Sequence, residues 1–208
     1  MKTLCVYYDN PNEYSDMYLK WLTKDCEENG IELIVAHDMK EFDDYYYGYA
    51  RTKVLPLMPV KSNEILEILN HDCHSDIDGV ASTYYKDATA EGIYDYITEN
   101  FPERKNVIAV IGRGKVCKSL IDMLIDYGYT VFEFNSASSD NRMYVGCVEC
   151  ANVVIGVASE QVFDEEKCDV LTDMDITLID SGNNFETKNK LRCGKWTRQV
   201  IIDRVLDR

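Results

Sequence analysis

The sequence lacks any apolar run long enough to cross a membrane, and positive charge is scarce in it. A membrane-spanning helix needs about 20 predominantly apolar residues in succession, and no stretch of the 208 residues approaches that length. Lys and Arg number 22 against 37 Asp and Glu, so the formal net charge is -15 at pH 7. Such a surface repels the phosphates of nucleic acids and of anionic membranes. We therefore expect neither nucleic acid nor a membrane as a partner.

We also expect no secretion signal, since the first residues, MKTLCVYYDN, lead directly into a predicted strand. We therefore expect a cytoplasmic protein whose 8 cysteines are reduced thiols. The spacing Cys147-x-x-Cys150 raises the alternative of a zinc site completed by His71, Cys73 and His74. Because the two groups lie in separate predicted elements, we favour buried structural thiols and predict no metal.

What the sequence does contain is an alternation of strand-like apolar runs and helical patterns. The predicted strands are LCVYY, IELIVA, KVLPLMP, VIAVI, TVFEF, ANVVIGVAS and DITLIDSG, and the predicted helices cover residues 14–29, 61–70, 89–101 and 196–207. The tyrosine-rich residues 38–49 predict a short helix or a loop. Strands that alternate with helices predict an α/β protein with parallel strands, here in two lobes.

The most informative stretch covers residues 106–136. Its first buried strand ends at Gly112-Arg113-Gly114, a helical pattern follows, and a second strand closes the unit. In such a βαβ unit the glycines let a ligand's phosphates approach the N-terminus of the helix. Cys117 stands where a dinucleotide fingerprint has its third glycine. The motif is therefore compatible with two interpretations, a nucleotide-binding site and a purely structural turn.

Longer phrases of the sequence follow one another in an order that is known from one enzyme family. KVLPLMPVKSNEILEILNHDCHSDIDGVAS resembles VQLPLP…helix…KDVDG, and DATAEGI resembles PCTPxGI. VIGRGKVCKSL is similar to VxGRSxxVGxP, FNSAS to xHSxT, ANVVIGVAS to ADIxxxAxG, LIDSGNN to VIDxGxN, and GKWT to GPMT. These are phrases of the methylenetetrahydrofolate dehydrogenase/cyclohydrolase (FolD-type) family, which the chain resembles over nearly its whole length.

The resemblance implies an organisation in two lobes and an activity. Residues 1–102 correspond to the family's folate-binding catalytic lobe, which a C-terminal helix over residues 196–208 completes. Residues 103–195 correspond to a Rossmann-like lobe that binds NADP or NAD. The implied activity is oxidation of methylenetetrahydrofolate, a folate-type small molecule of one-carbon metabolism. Family members commonly pair, so we also expect a homodimer.

For substrate and catalysis the resemblance implies Tyr18, Val54, Asp78 and Thr89, with Tyr18 and Asp78 as the catalytic pair. Asp78 matches the second aspartate of the family's DVDG, and a carboxylate can accept paired hydrogen bonds from the amino-pyrimidine edge of a pterin. Tyr18 would stack on the substrate ring. The structural alternatives are an Asp-Gly turn for Asp78 and core packing for Tyr18.

For the cofactor the resemblance implies Gly112, Arg113, Gly114, Lys115 and Ser136. A guanidinium near the adenosine ribose suits the 2′-phosphate of NADP. NAD sites instead prefer an acidic group at the end of the second strand, and Glu133 competes for that role. Arg113 therefore favours NADP, and Glu133 keeps NAD as the alternative.

One departure from the family bears directly on activity. Ser15 and Tyr18 match the family's Ser-x-x-Tyr-x-x-x-Lys, but Leu22 occupies the lysine position. Hydride transfer needs positioning rather than a proton acceptor, whereas the loss of one acid–base group costs about 10²- to 10⁴-fold in rate. We therefore expect a dehydrogenase with weak or absent cyclohydrolase activity. The alternative, favoured by Val54 and Tyr84 in place of the family's glutamine and asparagine, is a non-catalytic folate- or nucleotide-binding protein.

Overall fold

The computed structural model describes residues 2–48, 52–135 and 146–208. The chain divides into two compact units, Met1–Ala88 with Arg198–Arg208, and Thr89–Thr197. In chain order the elements are β1 (Lys2–Tyr7), α1 (Glu13–Glu28), β2 (Ile31–Ala36), α2 (Met39–Tyr46), β3 (Lys53–Pro56), α3 (Glu64–His71), α4 (Ala88–Asn100), β4 (Val107–Gly112), α5 (Lys115–Tyr127), β5 (Thr130–Phe134), β6 (Val153–Val157), α6 (Glu165–Asp173), β7 (Thr177–Asp180), β8 (Leu191–Arg192) and α7 (Gly194–Leu206).

The first unit is built on a parallel sheet of three strands in the order β2-β1-β3. Successive residues of β1 point to opposite faces of this sheet. Leu4 and Val6 join one apolar cluster, which also receives α1 and α7. Cys5 and Tyr7 join another, which receives α2 and α3. Because both faces are covered, the strand is a continuous apolar run, as the sequence predicts.

Helix α1 begins where Asn12 caps it, since the Asn12 side chain accepts hydrogen bonds from the backbone N–H groups of the next turn. One part of the sequence-based interpretation of this helix is wrong. The helical spacing of the apolar residues predicts one buried stripe of Met17, Tyr18, Trp21, Leu22 and Cys26. Met17 and Trp21 are instead 40% and 44% exposed, while Leu22 is fully buried. Trp21 precedes Leu22 by one residue and lies about 100° around the helix from it, which places it at the edge of the buried face.

The second unit holds a five-stranded parallel sheet in the order β5-β4-β6-β7-β8. Ile108 and Val110 of β4 pack towards α4 and α5. Ala109 and Ile111 pack on the other face, towards α6. Two parallel sheets with helices on both faces confirm the predicted α/β architecture. In the described ranges no helix is both long enough and apolar enough to cross a bilayer.

Helix α4 belongs to the second unit apart from its first residue. Its residues Ile93 and Ile97 are fully buried against β4 and α5. The sequence-based boundary at residue 102 therefore lies at the end of α4, whereas the compact units divide at its start.

Two elements of the second unit were not expected from the sequence. Helix α6 begins at its cap, Asp164, whose carboxylate accepts the backbone N–H of Lys167 at 2.9 Å. Its buried residues are only Cys168 and Leu171, so its apolar periodicity is too short to stand out. Strand β8 has two residues, both exposed, and is defined only by pairing with β7.

Candidate substrate and cofactor sites

In the first unit the segment that contains Asp78 is fixed by backbone pairing with β3. The N–H of Val54 donates to the carbonyl of Ser75 at 2.8 Å, and the N–H of Ile77 donates to the carbonyl of Val54 at 3.3 Å. The Val54 side chain is fully buried in the apolar cluster around Phe42. Val54 thus contributes to this region through its backbone, and its side chain faces the core.

Asp76 builds the turn that follows. Its buried carboxylate accepts the backbone N–H groups of Val80 at 3.0 Å, Ala81 at 2.9 Å and Ser82 at 2.7 Å. Three such bonds satisfy most of the lone pairs of a carboxylate. Of the two aspartates in the DID sequence, Asp76 therefore stabilises the loop through hydrogen bonds, and Asp78 is the one whose pKa is raised.

The Asp78 carboxyl lies in an acidic, desolvated environment. Desolvation is the main cause that raises its pKa to about 8, and the neighbouring carboxylates of Asp87 and Asp76 raise it further. The charge of Arg204 and the backbone N–H of Ala88 oppose this shift. A carboxyl group with such a pKa holds its proton over much of the neutral range. Perturbed groups of this kind are common at functional sites.

Arg204, from the last helix, is held in place next to this segment. Its Nη1 donates a hydrogen bond to the carbonyl of Ile77, and its Cζ lies 4.8 Å from the centroid of the Tyr85 ring. The Nζ of Lys53 is 5.4 Å from the same centroid and donates to the Tyr85 hydroxyl at 3.2 Å. Two cations, Lys53 and Arg204, therefore contact the Tyr85 ring next to the segment that contains Asp78. Sequence reasoning missed Arg204, because no spacing rule links it to a segment so distant in the chain. It missed Asp87 and Tyr85 because the path of the loop, which brings the backbone of Tyr85 and Lys86 close to Gly79, is not encoded in a local pattern.

Tyr18 and Leu22 lie one turn apart on α1 and differ in burial. Tyr18 is half-buried and packs at the margin of the apolar cluster, whereas Leu22 is completely enclosed in it, together with Val200 and Ile201 of α7. The position of the family lysine thus faces the core of the unit. A leucine is suited to that place, and it carries no proton.

The exposed edge of α1 holds a cation–π contact that the sequence did not reveal. The guanidinium of Arg198 lies 5.2 Å from the centroid of the Trp21 ring, and its Nε donates to the carboxylate of Asp25 at 2.5 Å. Arg198 is itself largely buried. The contact explains how Trp21 is stabilised outside the apolar stripe.

In the second unit Thr89 lies at the start of α4. The Thr197 hydroxyl donates to the Thr89 hydroxyl at 3.4 Å. Gly92, one turn later, approaches the other chain segment so closely that a Cβ would be 2.8 Å from the backbone carbon of Trp196. The glycine of the DATAEGI phrase is therefore required by packing between α4 and the start of α7. Thr89 lies beside that contact.

The glycine turn of the βαβ unit lies between the end of β4 and the start of α5. A Cβ on Gly112 would meet the backbone of Val157 at 2.7 Å, so this glycine serves the packing of neighbouring strands. Gly114 differs, since it has a φ of 95° and open space where its Cβ would be. It also brings no side chain to cap α5, and the first turn of that helix has no acidic residue. This is the environment in which a helix N-terminus accepts a phosphate.

Arg113, beside Gly114, is exposed and reaches the end of the second strand. Its Nη2 donates to the Oδ1 of Asn135 at 3.5 Å. Glu133 lies within β5, in register with Val110, and Lys115 is the first residue of α5. Ser136, the remaining predicted cofactor residue, lies outside the described residues. The structure thus brings Arg113, Gly114 and Lys115 together at one turn.

If a nucleotide binds at this turn, a Gly114→Ala substitution should weaken its binding at least tenfold. The backbone conformation of Gly114 is essentially restricted to glycine, and strain of this kind costs about 1–3 kcal/mol. Nucleotide titration measures the change in affinity, and urea unfolding measures the loss of stability that the strain causes. Gly30→Ala is the matched control, because Gly30 also has positive φ (66°) and open space but lies in the first unit. It should lower stability and leave nucleotide affinity unchanged; equal loss of affinity in both variants would contradict the assignment.

The fold defined here is a two-unit parallel α/β fold in which a βαβ glycine turn precedes a helix with an unblocked N-terminus. No family model matches the sequence, and no curated protein matches it. Solved structures do match it over 99% of its length. Sequence identity to these structures is at most 17% for the three described next, so they establish the fold.

The chain is similar to the bifunctional FolD methylenetetrahydrofolate dehydrogenase/cyclohydrolase from Campylobacter jejuni, with a TM-score of 0.73, 17% identity and coverage of 87% of that chain. It is similar to the NAD-dependent 5,10-methylenetetrahydrofolate dehydrogenase from Saccharomyces cerevisiae (TM-score 0.74, 15% identity, 86% of that chain). The Trypanosoma brucei FolD enzyme, solved with NADP and an inhibitor, has a TM-score of 0.73, 13% identity and 85% coverage. The resemblance noted in the sequence is confirmed at the level of the fold.

Proposed function

We propose that the chain is an NAD(P)-dependent methylenetetrahydrofolate dehydrogenase-like protein with weak or absent cyclohydrolase activity. The observation that carries the proposal is the state of Asp78. The half-buried Asp78 lies at the position where the resemblance requires a pterin-binding carboxylate, desolvation raises the pKa of its carboxyl, and the charge of Arg204 opposes that shift. A surface aspartate in a simple Asp-Gly turn would be solvated and would keep an ordinary pKa.

In this proposal Asp78 holds the substrate and Tyr18 orients it. The Asp78 carboxylate accepts two hydrogen bonds from the amino-pyrimidine edge, and the half-buried Tyr18 ring stacks on the substrate. We retain Thr89 as a predicted substrate contact. Val54 acts as a positioning residue, because its carbonyl and N–H hold the Ser75–Ile77 segment while its side chain is buried.

The cofactor in this proposal is NADP or NAD, with its phosphates at the N-terminus of α5. Gly114 leaves the space for them, Lys115 lies in the first turn, and Gly112 keeps β4 close to β6. Arg113, next to Asn135 at the end of β5, suits a 2′-phosphate, which favours NADP. We retain Ser136 as a predicted contact to the ribose.

The proposed reaction needs little acid–base chemistry from the chain. A nicotinamide cofactor would supply the hydride acceptor for the methylene carbon of the substrate, and the chain would not have to remove a proton in that step. The residues of the chain bind and align the two reactants, which is the dominant contribution in such a transfer. Hydrolysis of the resulting cation needs proton transfers, and the buried Leu22 cannot take part in them.

Folate affinity is expected to rise with pH up to about 8. The proposed ligand binds the ionised form of Asp78, and the free protein has its pKa raised to about 8. Below that value a proton must leave before the ligand binds, so affinity should fall by up to about tenfold for each pH unit. Calorimetric titration with tetrahydrofolate between pH 6 and pH 9, a range that includes the pKa of about 8, measures how folate affinity changes with pH. The Asp78→Asn variant should show no such slope, and a slope that persists in it would contradict this role.

The same pKa shift has a consequence for stability. Between the ordinary aspartate pKa of 3.8 and about 8 the folded chain binds a proton that the unfolded chain does not bind. The stabilisation is therefore full below pH 3.8 and is lost as pH rises through about 8. Other groups also make the free energy of unfolding depend on pH. The difference in that free energy between the wild type and Asp78→Asn, measured as a function of pH, isolates the contribution of Asp78.

Calorimetry with three ligands tests the function. We expect tetrahydrofolate and at least one of NADP and NAD to bind the purified protein. Binding of both, with no turnover on addition of methylenetetrahydrofolate, would favour a non-catalytic folate- and nucleotide-binding protein that retains the fold. Binding of none would refute both functions.

We further propose that residues 1–102 with 196–208 form the folate lobe, that residues 103–195 form the cofactor lobe, and that the protein acts in the cytoplasm as a homodimer. Separate titration of variants in each lobe tests the first point: Asp78→Asn should affect folate alone and Gly114→Ala nucleotide alone. Light scattering tests the homodimer.

A further inference from the structure

The pair Cys147 and Cys150 plays no part in the proposed function. The sequence suggests buried structural thiols or, as an alternative, a zinc site. The structure buries Cys5, Cys26, Cys117, Cys168 and Cys193, but it leaves Cys150 exposed and Cys147 half-buried. Within the described residues no three His, Cys, Asp or Glu side chains are placed to hold a metal ion. The expectation of buried thiols is thus wrong for this pair, and a different chemistry fits it.

The two cysteines lie on one helical turn. Residues 146–149 are helical, and the N–H of Cys150 donates to the carbonyl of Gly146 at 3.2 Å, which is the hydrogen bond of an α-helical turn. Residues three apart on such a turn share a face, and its geometry places their Cα atoms about 5 Å apart. A disulfide spans Cα separations of roughly 4.4–6.8 Å. The Cα separation of the pair is therefore within the range that a disulfide spans.

The surroundings of the turn hold it in place and distinguish the two thiols. Val148 is fully buried in the cluster of α6 and β6, and the Cys147 side chain packs against the same cluster. Glu149 forms an ion pair with Lys167 of α6 at 2.8 Å. Cys150 is exposed. An external reagent thus meets Cys150 first, with Cys147 next to it as the resolving thiol.

We propose that Cys147 and Cys150 form a redox-active dithiol that exchanges with low-molecular-weight disulfides. The Cys150 thiolate attacks one sulfur of the external disulfide, which forms a mixed disulfide and releases one thiolate. The Cys147 thiolate then attacks the Cys150 sulfur, closes the intramolecular disulfide and releases the second thiolate. The two cysteines lose two electrons and two protons, and the external disulfide gains both to become two thiols. A C-x-x-C pair near a βαβ unit is a recognised setting for such exchange.

Glutathione disulfide is the probe for this proposal. After incubation of the protein, acid quenching and alkylation, intact mass should show two fewer alkyl groups than in the reduced protein, and peptide mapping should link Cys147 to Cys150. The Cys147→Ser variant should accumulate a glutathione adduct on Cys150 at least about tenfold above the wild type. The neighbouring thiol resolves that adduct in the wild type because it is far more concentrated locally than any thiol in solution. Cys150→Ser should react more slowly, since only the half-buried thiol remains.

Cys73→Ser is the matched control, because Cys73 is also half-buried but has no cysteine within the same turn. It should form the Cys147–Cys150 disulfide at the wild-type rate. A wild-type protein that keeps its adduct as long as Cys147→Ser does, that links other cysteines, or that does not react would overturn the proposal. None of these results depends on folate or nucleotide binding.

Discussion

Asp78→Asn should weaken tetrahydrofolate binding by roughly 30- to 150-fold while nucleotide binding is kept. A hydrogen bond to a charged group contributes about 1.5–3 kcal/mol, and asparagine can replace only one of the two carboxylate acceptors. The expected loss of about 2–3 kcal/mol corresponds to that range of affinity. The substitution also removes the group whose desolvation raises its pKa to about 8, so the free variant should be no less stable at pH 8. Calorimetry at pH 8 measures affinity with the wild-type group substantially ionised.

Asp44→Asn is the control, since Asp44 is an exposed carboxylate on α2 in the same unit. It removes the same charge and should leave folate affinity unchanged. Retained NADP or NAD binding by Asp78→Asn shows that the variant is folded. Folate affinity equal to that of the wild type would exclude Asp78 from the site.

Leu22→Lys should destabilise the protein by about 2–5 kcal/mol and should not create cyclohydrolase activity. Leu22 is fully buried among Val200, Ile201 and other apolar residues. A lysine there must either bury its charge or leave the cluster and open a cavity, and both are costly. Urea unfolding measures the loss of stability, and hydrolysis of methenyltetrahydrofolate measures the activity.

Met17→Lys is the matched control on the same helix. Met17 is 40% exposed, so a lysine there keeps its charge in water and should change stability by less than about 0.5 kcal/mol. If Leu22→Lys were as stable as the wild type and gained cyclohydrolase activity, the position would open onto the substrate. The account of Leu22 as a core residue would then be wrong.

Much of the fold was predictable because apolar periodicity and burial have the same cause. The run IELIVA matches β2 (Ile31–Ala36), and the glycine turn at 112–114 does separate β4 from α5. Parallel strands covered on both faces are continuous apolar runs, which the sequence displays. Helix α6 was missed because its buried side is limited to Cys168 and Leu171.

The candidate site was predictable only at the residues that the family phrases mark. Its supporting contacts join distant parts of the chain, such as Arg204 with Ile77, and no local pattern encodes such pairs. Val54 shows the opposite case. The resemblance marks its position as substrate-binding, but its side chain is buried in the core. Trp21, exposed on α1, contacts Arg198, which belongs to another helix. Tertiary pairing, rather than propensity, decides these cases.

The central claim is that this chain transfers a hydride from a folate to a nicotinamide and stops there. The most direct measurement is to mix the protein with methylenetetrahydrofolate and NADP, or NAD, and to follow the absorbance of the reduced cofactor and of methenyltetrahydrofolate together. We expect both species to appear at equal rates, with the methenyl product decaying no faster than it does without protein. Absence of cofactor reduction with either nucleotide, under conditions in which both ligands bind, would contradict the claim.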